Sequence, residues 1–315
     1  MSVIFPAATA LGFESLQTDR TETCDVVIVG AGAGGAAAAK VLSEQGLSVW
    51  IIESGPKTSR FRPNYAHTAK YHMQENGSMV AQGSTMMPIA AGKGVGGSTL
   101  INSALSFVAP DSVLDGWAAL LDDESWSANG LRSTFAEISE AIGVGITSEA
   151  VSGNNNNLIV RGINKLGWEG GLAPRSTPQC VGCGICYFGC PSNGKASMNL
   201  SLLPRAQEFN CRIQAEADVV DIIVEGNVVK GIKAVGRNPD TGETGGTLTI
   251  KADKIILAGG AIGTPKLLWH CGLAERISPV VGDGLHVHPG STLIGISKDP
   301  IEMWKGATQG AYCHP

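Results

Sequence analysis

The chain has 315 residues, of which 43% are hydrophobic and 16% are charged, and its formal net charge is -5. This length is sufficient for two domains with a large core. The acidic balance and the lack of a basic run argue against nucleic acid as a partner. No stretch has the apolar length of a transmembrane segment, and the first residues do not resemble a signal peptide. Together with the clustered cysteines, these features predict a cytoplasmic protein.

The first predicted elements, within residues 26–55, are a strand, a glycine turn, a helix and a second strand. Val26 to Val29 are apolar, as expected of a strand that is buried on both faces. The second strand, Ser48 to Ile52, ends at Glu53, whose carboxylate can accept both hydroxyls of a ribose. No arginine follows directly to hold a 2′-phosphate, which disfavours NADP.

The turn between the first strand and the helix carries the pattern G-x-G-x-x-G at Gly30, Gly32 and Gly35. These glycines allow a tight turn, a close approach of the backbone to a pyrophosphate, and close packing of the helix on the strand. The N-terminus of the helix offers free N–H groups to phosphates. The whole segment therefore predicts a dinucleotide-binding βαβ unit, and the alternative is a glycine-rich helix–strand contact without a ligand.

The later elements are predicted from apolar spacing and turn signals. Residues 60–90 are predicted to be irregular. Helical spacing covers 131–143 and 157–167, and the polar run 152–157 predicts a surface loop. Period-two spacing predicts a hairpin over 219–236 with its turn at 225–227, then two more strands within 247–258. A helix over 264–270 follows.

A second glycine cluster, AGKGVGGSTLINSAL at residues 91–105, follows the first βαβ unit. Its glycines and hydroxyl side chains can deliver N–H and O–H groups to a large ligand, although such a loop can also arise only from positive φ angles. Two further segments are GGAIGTPKLLWHCGL (259–273) and VGDGLHVHP (281–289). With the N-terminal fingerprint, these segments in this order resemble the glucose–methanol–choline (GMC) oxidoreductases, which are FAD enzymes.

The resemblance implies that FAD is held by residues at the matching positions. Those nearest the pyrophosphate and ribose would be Gly30, Gly32, Gly34, Gly35, Glu53 and Ser54. The second cluster would contribute Gly92, Val95, Gly96, Gly97, Ser98, Thr99, Asn102 and Leu105, with Asn102 near the reactive edge of the flavin. Val219 would contact the adenine through its backbone, and Gly259 belongs to the same set. Because Ile101 stands where some members carry a histidine that bonds to FAD, the resemblance implies noncovalent FAD.

The resemblance also implies an alcohol CH–OH substrate and hydride transfer to flavin N5. The histidine pair that handles the proton in the family lies beyond the position of Pro315, so no catalytic residue is assigned. His288 matches a family histidine before a proline and is interpreted as structural. We expect the N-terminal part of a longer enzyme, with weak FAD retention and no turnover alone. The alternatives are a noncatalytic FAD-binding subunit that needs a partner chain, and an FAD-containing lyase.

A cysteine run, CVGCGICYFGCP, has the C-x2-C-x2-C-x3-C-P spacing of bacterial ferredoxins, with the thiols at Cys180, Cys183, Cys186 and Cys190. We predict that these residues hold one iron–sulfur cluster, with Cys190 or a distant thiol such as Cys211 as the fourth ligand. A three-iron cluster, free or relict thiols, zinc and disulfides are the alternatives. A cluster would pass single electrons to a quinone or cytochrome, which favours a dehydrogenase over an oxidase.

The predicted fold is α/β, a Rossmann-like FAD/NAD(P)-binding domain with the beginning of an α+β substrate domain. We expect the FAD-binding domain in two parts, 20–115 and 204–290. A helical and cysteine-rich insertion would occupy 116–203, and the substrate domain would begin over 291–315.

Overall fold

The computed structural model describes residues 7–57, 61–83, 85–287, 290 and 292–314. Two compact units divide these residues. The sheet unit comprises residues 7–101 and 198–298, and the cysteine unit comprises residues 102–197 and 299–314. His288 lies outside the described residues.

The strands, in chain order, are β1 Arg20–Val29, β2 Val49–Ile52, β3 Val80–Gln82, β4 Met86–Pro88, β5 Gly145–Ile146, β6 Glu169–Leu172, β7 Pro174–Arg175, β8 Cys211–Gln214, β9 Ala217–Glu225, β10 Val228–Arg237, β11 Thr244–Leu257 and β12 Ala311–His314. The α-helices are α1 Ala33–Glu44, α2 Tyr65–His72, α3 Asp111–Leu121, α4 Ala128–Ala141, α5 Glu149–Leu166, α6 Leu202–Gln207, α7 Gly260–His270 and α8 Ala274–Ile277. Short 3-10 helices lie at Phe13–Ser15, Gln74–Gly77, Gly97–Leu100, Glu124–Trp126, Cys186–Phe188 and Met198–Leu200.

A six-stranded sheet with the order β8-β2-β1-β11-β10-β9 organises the sheet unit. The strands β8, β2, β1 and β11 are parallel neighbours, and β10 is antiparallel to both β11 and β9. Helix α1 connects β1 to β2 and packs against α6. Val27 and Ile28 of β1 are fully buried, as expected of a parallel strand covered on both faces.

The structure confirms the predicted βαβ unit, although β1 begins six residues earlier than its apolar run, at Arg20. It also confirms the hairpin of β9 and β10, in which Val228 pairs with Glu225. The predicted return of residues 255–258 to the first sheet is confirmed as well, because the end of β11 pairs in parallel with β1.

Three local predictions are wrong. Residues 247–258 do not form two strands, because β11 runs unbroken and pairs with β10 on one edge and β1 on the other. The stretch 60–90, expected to be irregular, contains α2 and the antiparallel pair of β3 and β4. The run 152–157, expected to be a surface loop, lies within α5, which bends at Gly153 where φ is 79°.

The cysteine unit contains α3, α4 and α5 and two small antiparallel pairs, β6 with β12 and β5 with β7. Asn156 of α5 is 3% exposed. Its amide nitrogen donates to the carbonyls of Ser152 and Ala307, and its oxygen accepts the N–H of Gly310. This side chain therefore joins α5 to the segment that precedes β12.

The contact-based division falls at residues 101/102 and 197/198, whereas the predicted insertion spans 116–203. The assignment of flavin and substrate roles to these parts stays a prediction. Among the described residues, the helices include none with the length and apolarity that a bilayer crossing requires.

Candidate functional site

The first glycine turn leaves no room for side chains. Gly30 has a φ of 107°, and a Cβ there would lie 2.5 Å from the carbonyl oxygen of Ala258. A Cβ at Gly35 would lie 2.0 Å from the carbonyl oxygen of Gly30. Both positions therefore require glycine, because side chains cannot overlap backbone atoms at such distances.

The N-terminus of α1 is open. Gly32 caps the helix without a side-chain hydrogen bond, and Ala33 and Gly34 are exposed. The first N–H groups of a helix have no partner within the helix, and its dipole favours an anion at this end. The arrangement is suited to a pyrophosphate.

Glu53 is 6% exposed, and both of its carboxylate oxygens accept backbone N–H groups. Oε2 accepts Ala31 at 2.9 Å, and Oε1 accepts Gly55 at 2.9 Å and Gly94 at 3.0 Å. Burial raises the pKa of the Glu53 carboxyl, although the three N–H donors oppose this shift. In this structure Glu53 braces the backbone, and its predicted contact with a ribose stays a prediction.

The second glycine cluster packs on the first within the sheet unit. The N–H of Gly96 donates to the carbonyl of Ala31 at 3.0 Å. A Cβ at Gly97 would lie 2.7 Å from the Cα of Gly32, and Gly97 has a φ of 55°. Two glycine segments far apart in sequence thus form one continuous backbone surface.

The hydroxyl groups of this cluster bond within the chain. Ser98 Oγ accepts the N–H of Gly92 at 2.9 Å. Thr99 Oγ1 donates to the carbonyl of Gly96 at 2.6 Å and accepts the N–H of Met198 at 3.0 Å. In this structure the hydroxyls shape the loop, and their predicted contact with FAD stays a prediction.

The remaining predicted cofactor residues are spread over both units. Val95 is 3% exposed, whereas Ser54 and Gly259 are exposed and Val219 of β9 is half-buried. These four lie in the sheet unit, while Asn102 and Leu105 belong to the cysteine unit.

Lys93, inside the second cluster, was not singled out from the sequence. Burial lowers the pKa of its amine, and the charges of Asp218, Glu75 and Glu53 oppose that shift. Lys93 is thus a half-buried cation whose charge is balanced by carboxylates, and no ligand is assigned to it. Its position between two glycines was the available signal.

The cysteine run lines one cavity of the cysteine unit together with Lys195. Cys183 is exposed, Cys180 is half-buried, and Cys186 and Cys190 are buried. The eight cysteines of the chain are all free thiols. Over the described ranges, groups of three or more His, Cys, Asp or Glu side chains do not converge as metal ligands would.

These thiols form hydrogen bonds with nearby protein groups. Cys180 Sγ accepts the N–H of Gly182 at 3.4 Å, and Cys186 Sγ accepts Nη2 of Arg175 at 3.3 Å. The distant ligand candidate Cys211 is buried in β8 of the sheet unit. The described arrangement does not support an iron–sulfur cluster, and the predicted cluster stays a prediction.

Two buried cations lie beside the cysteine run. Arg175 and Lys195 are each 1% exposed. Burial lowers the pKa of Lys195 to about 8. Although burial opposes ionisation of Cys186, the hydroxyl of Thr308 and the two cations hold the pKa of that thiol below its ordinary value.

The same cations contact the last residues of the second glycine cluster. Arg175 donates to the carbonyl of Ser103 from Nε at 2.9 Å and from Nη2 at 2.7 Å. Lys195 Nζ donates to the carbonyl of Asn102 at 2.9 Å and lies 3.5 Å from its side-chain oxygen. Within the cysteine unit, the predicted flavin-edge residue is thus joined to the cysteine run.

Comparison with known proteins agrees with this geometry. The family model described as GMC oxidoreductase matches residues 69–290, and one described as an FAD binding domain matches residues 23–77. An uncharacterized GMC-type oxidoreductase of Mycobacterium tuberculosis is 32% identical over 293 residues, which are 92% of this chain and 45% of that protein. A long-chain-alcohol oxidase of Arabidopsis thaliana is 28% identical, with 84% of this chain and 36% of that protein covered. The chain thus spans half or less of the length of these two relatives.

Solved structures show the same fold. Pyridoxine 4-oxidase from Mesorbium loti aligns with a TM-score of 0.60 at 20% identity, over 79% of this chain and 52% of that one. An FAD-dependent oxidoreductase from Chaetomium thermophilum aligns with a TM-score of 0.58 at 21% identity, over 79% and 48%. The predicted α/β, Rossmann-like FAD-binding fold is confirmed, and the chain belongs to the GMC oxidoreductase family.

Proposed function

We propose that this chain binds FAD noncovalently and forms the flavin-binding part of an enzyme that oxidises the CH–OH group of an alcohol. The observation that carries the proposal is the joined backbone surface at the open end of α1, where Gly30, Gly35 and Gly97 exclude side chains. Such a surface is suited to a long dinucleotide with a pyrophosphate at its centre.

Different residues of the sheet unit would have different roles in binding FAD. The N–H groups at the start of α1 would hold the pyrophosphate, because they are exposed and lack a side-chain cap. Glu53 would keep the two glycine segments at a fixed separation through its three backbone bonds. When bound, FAD supplies a two-electron acceptor for the hydride of the alcohol carbon.

Noncovalent binding is supported by the residue before Asn102. Ile101 is 6% exposed and carries no nucleophile. Acid precipitation of the FAD-loaded chain should therefore release all flavin into the supernatant. Flavin that remains in the protein pellet would contradict this part of the proposal.

The first experiment is titration of the purified chain with FAD, followed by flavin fluorescence and the visible spectrum. We expect saturable binding that NADPH does not displace and that Gly35→Ala abolishes. Equal binding by the wild type and Gly35→Ala would contradict the proposed site. In an enzyme that also carries the substrate domain, anaerobic addition of an alcohol then tests the alternatives, because an oxidoreductase bleaches its bound flavin whereas a lyase or a noncatalytic protein does not.

The alcohol and the electron acceptor are tested together. Relatives named long-chain-alcohol oxidases support long-chain alcohols as the first substrates to test. Oxygen uptake compared with reduction of a quinone analogue separates an oxidase from the dehydrogenase that the cysteine spacing predicts. Faster quinone reduction supports the dehydrogenase, and faster oxygen uptake supports an oxidase.

A further inference from the structure

The cysteine unit contains a pair of buried cations that the proposed function does not use. Arg175 and Lys195 are each 1% exposed. Removing a cation from water costs several kcal/mol, and an apolar side chain of similar size fills such a space without that cost. The contacts that these cations make therefore indicate what they are retained for.

Both cations bridge the same two segments. Arg175 contacts the carbonyl of Ser103 and the thiol of Cys186. Lys195 contacts the carbonyl of Asn102 at 2.9 Å and the carbonyl of Cys186 at 3.4 Å. The cysteine run is thus held against the stretch that begins at Asn102.

The stretch from Asn102 to Ser106 is strained, and its strain needs such support. Ala104 is a non-glycine residue with a φ of 60° and is 2% exposed. Its carbonyl accepts the N–H of Ser176 at 2.9 Å, and the N–H of Ser106 donates to Pro174 at 3.1 Å. A residue held in the left-handed region costs about 1–3 kcal/mol unless its surroundings impose the conformation.

The side chain of Asn102 is oriented by these contacts. Its Oδ1 accepts the N–H of Ala104 at 3.2 Å and lies 3.5 Å from Nζ of Lys195. Two donors on one side fix the amide oxygen there, because the amide nitrogen would meet N–H groups if it were flipped. The Asn102 side chain is exposed, so its NH2 group is presented as a donor on the other side.

We propose that Lys195 is a positioning residue that fixes the orientation of the Asn102 amide group. In this way Lys195 couples the cysteine run to the NH2 donor of Asn102. This inference rests on the proposed function only in taking Asn102 to face the flavin. Lys195 touches neither substrate nor flavin in this role and acts through Asn102. The cysteine run then serves as a rigid support for the contact between Lys195 and Asn102.

The first test needs no flavin. Hydrogen exchange at the amide of Ala104, which donates to Asn102, is measured in the FAD-free chain with Lys195→Met. We expect exchange to become at least about tenfold faster, because the amide of Ala104 opens more often once Asn102 loses its charged donor. Lys165→Met, an exposed lysine of the same unit, is the control and should leave the rate unchanged. An unchanged rate in Lys195→Met overturns the proposal.

The variant Lys195→Arg keeps a buried cationic donor. It therefore tests whether the faster exchange in Lys195→Met comes from the lost donor or from a general loss of folding. Protection of Ala104 should return in this variant at an unaltered melting temperature. Equal loss of protection in the Arg and Met variants overturns the role of the donor.

The second test is a double-mutant cycle read out by the bound flavin. Lys195→Met and Asn102→Ala should each shift the reduction potential of bound FAD, and the double variant should match Asn102→Ala. Additive shifts overturn the claim that Lys195 acts through Asn102. If the wild type binds no FAD, the proposed function fails. The exchange measurement still decides whether Lys195 fixes the orientation of Asn102.

Discussion

The carboxylate of Glu53 accepts the backbone N–H of Gly94 at 3.0 Å across 41 residues of sequence. The same carboxylate accepts the N–H groups of Ala31 and Gly55. One buried acid therefore sets the separation between the first glycine turn and the second glycine cluster. The acid at the end of the second strand shapes the candidate site in addition to any contact with a ribose.

Replacing Glu53 by glutamine should loosen both glycine segments. An amide oxygen can accept at one end only, and its NH2 group would face a backbone N–H at the other. We expect the free energy of unfolding to fall by about 3 kcal/mol, because a buried group left unpaired costs about 1–3 kcal/mol beside the lost charged bonds. Urea unfolding measures the loss. Glu225→Gln, at the exposed end of β9, is the control and should change it little.

Gly35 and Gly34 form a matched pair at the start of α1. A Cβ at Gly35 would meet the carbonyl of Gly30 at 2.0 Å, whereas a Cβ at Gly34 would meet nothing within 4 Å. Gly35→Ala should lower stability by about 3 kcal/mol through overpacking. Gly34→Ala should raise it by up to about 1 kcal/mol through helix propensity. Thermal unfolding compares them, and equal stability of the two variants would contradict the close approach.

Features of this fold that depend on neighbouring residues could be predicted from the sequence, whereas features that depend on distant residues could not. The βαβ unit and the hairpin of β9 and β10 depend on neighbouring residues, so apolar period and turn residues were sufficient to predict them. The brace at Glu53 depends on Gly94, and no local pattern reports a bond across that distance. The same limit explains Asn156, because four consecutive asparagines have the same local signature whether they are exposed or buried.

The cysteine run shows the converse limit. Its spacing is that of a ferredoxin, yet Cys186 contacts Arg175 and Cys180 contacts the N–H of Gly182. Spacing predicts which thiols can converge, whereas the packing around them decides which atoms they bond. The buried partner Arg175 comes before the run and carried no signal of its own.

Asn156 should be the essential member of its polar run. Asn156→Ala leaves the carbonyls of Ser152 and Ala307 and the N–H of Gly310 without their partner. We expect a loss of about 3 kcal/mol in the free energy of unfolding, since each buried group left unpaired costs about 1–3 kcal/mol. Asn154, two residues earlier, is exposed, and Asn154→Ala should stay close to the wild type. A loss below about 0.5 kcal/mol in Asn156→Ala, measured by denaturant titration, would contradict the buried role of this side chain.

Cys24 should make the folded chain sensitive to alkaline pH. Its thiol in β1 is 7% exposed, and burial raises its pKa from 9.0 to about 11. Between these values the unfolded chain loses the proton while the folded chain keeps it, so the stability contributed below pH 9 is lost as the pH rises. Two pKa units correspond to about 3 kcal/mol. Unfolding free energies measured from pH 8 to pH 11 should fall less steeply in Cys24→Ala than in the wild type, and parallel curves would contradict the shift. Cys313→Ser, which changes an exposed thiol, should follow the wild-type curve.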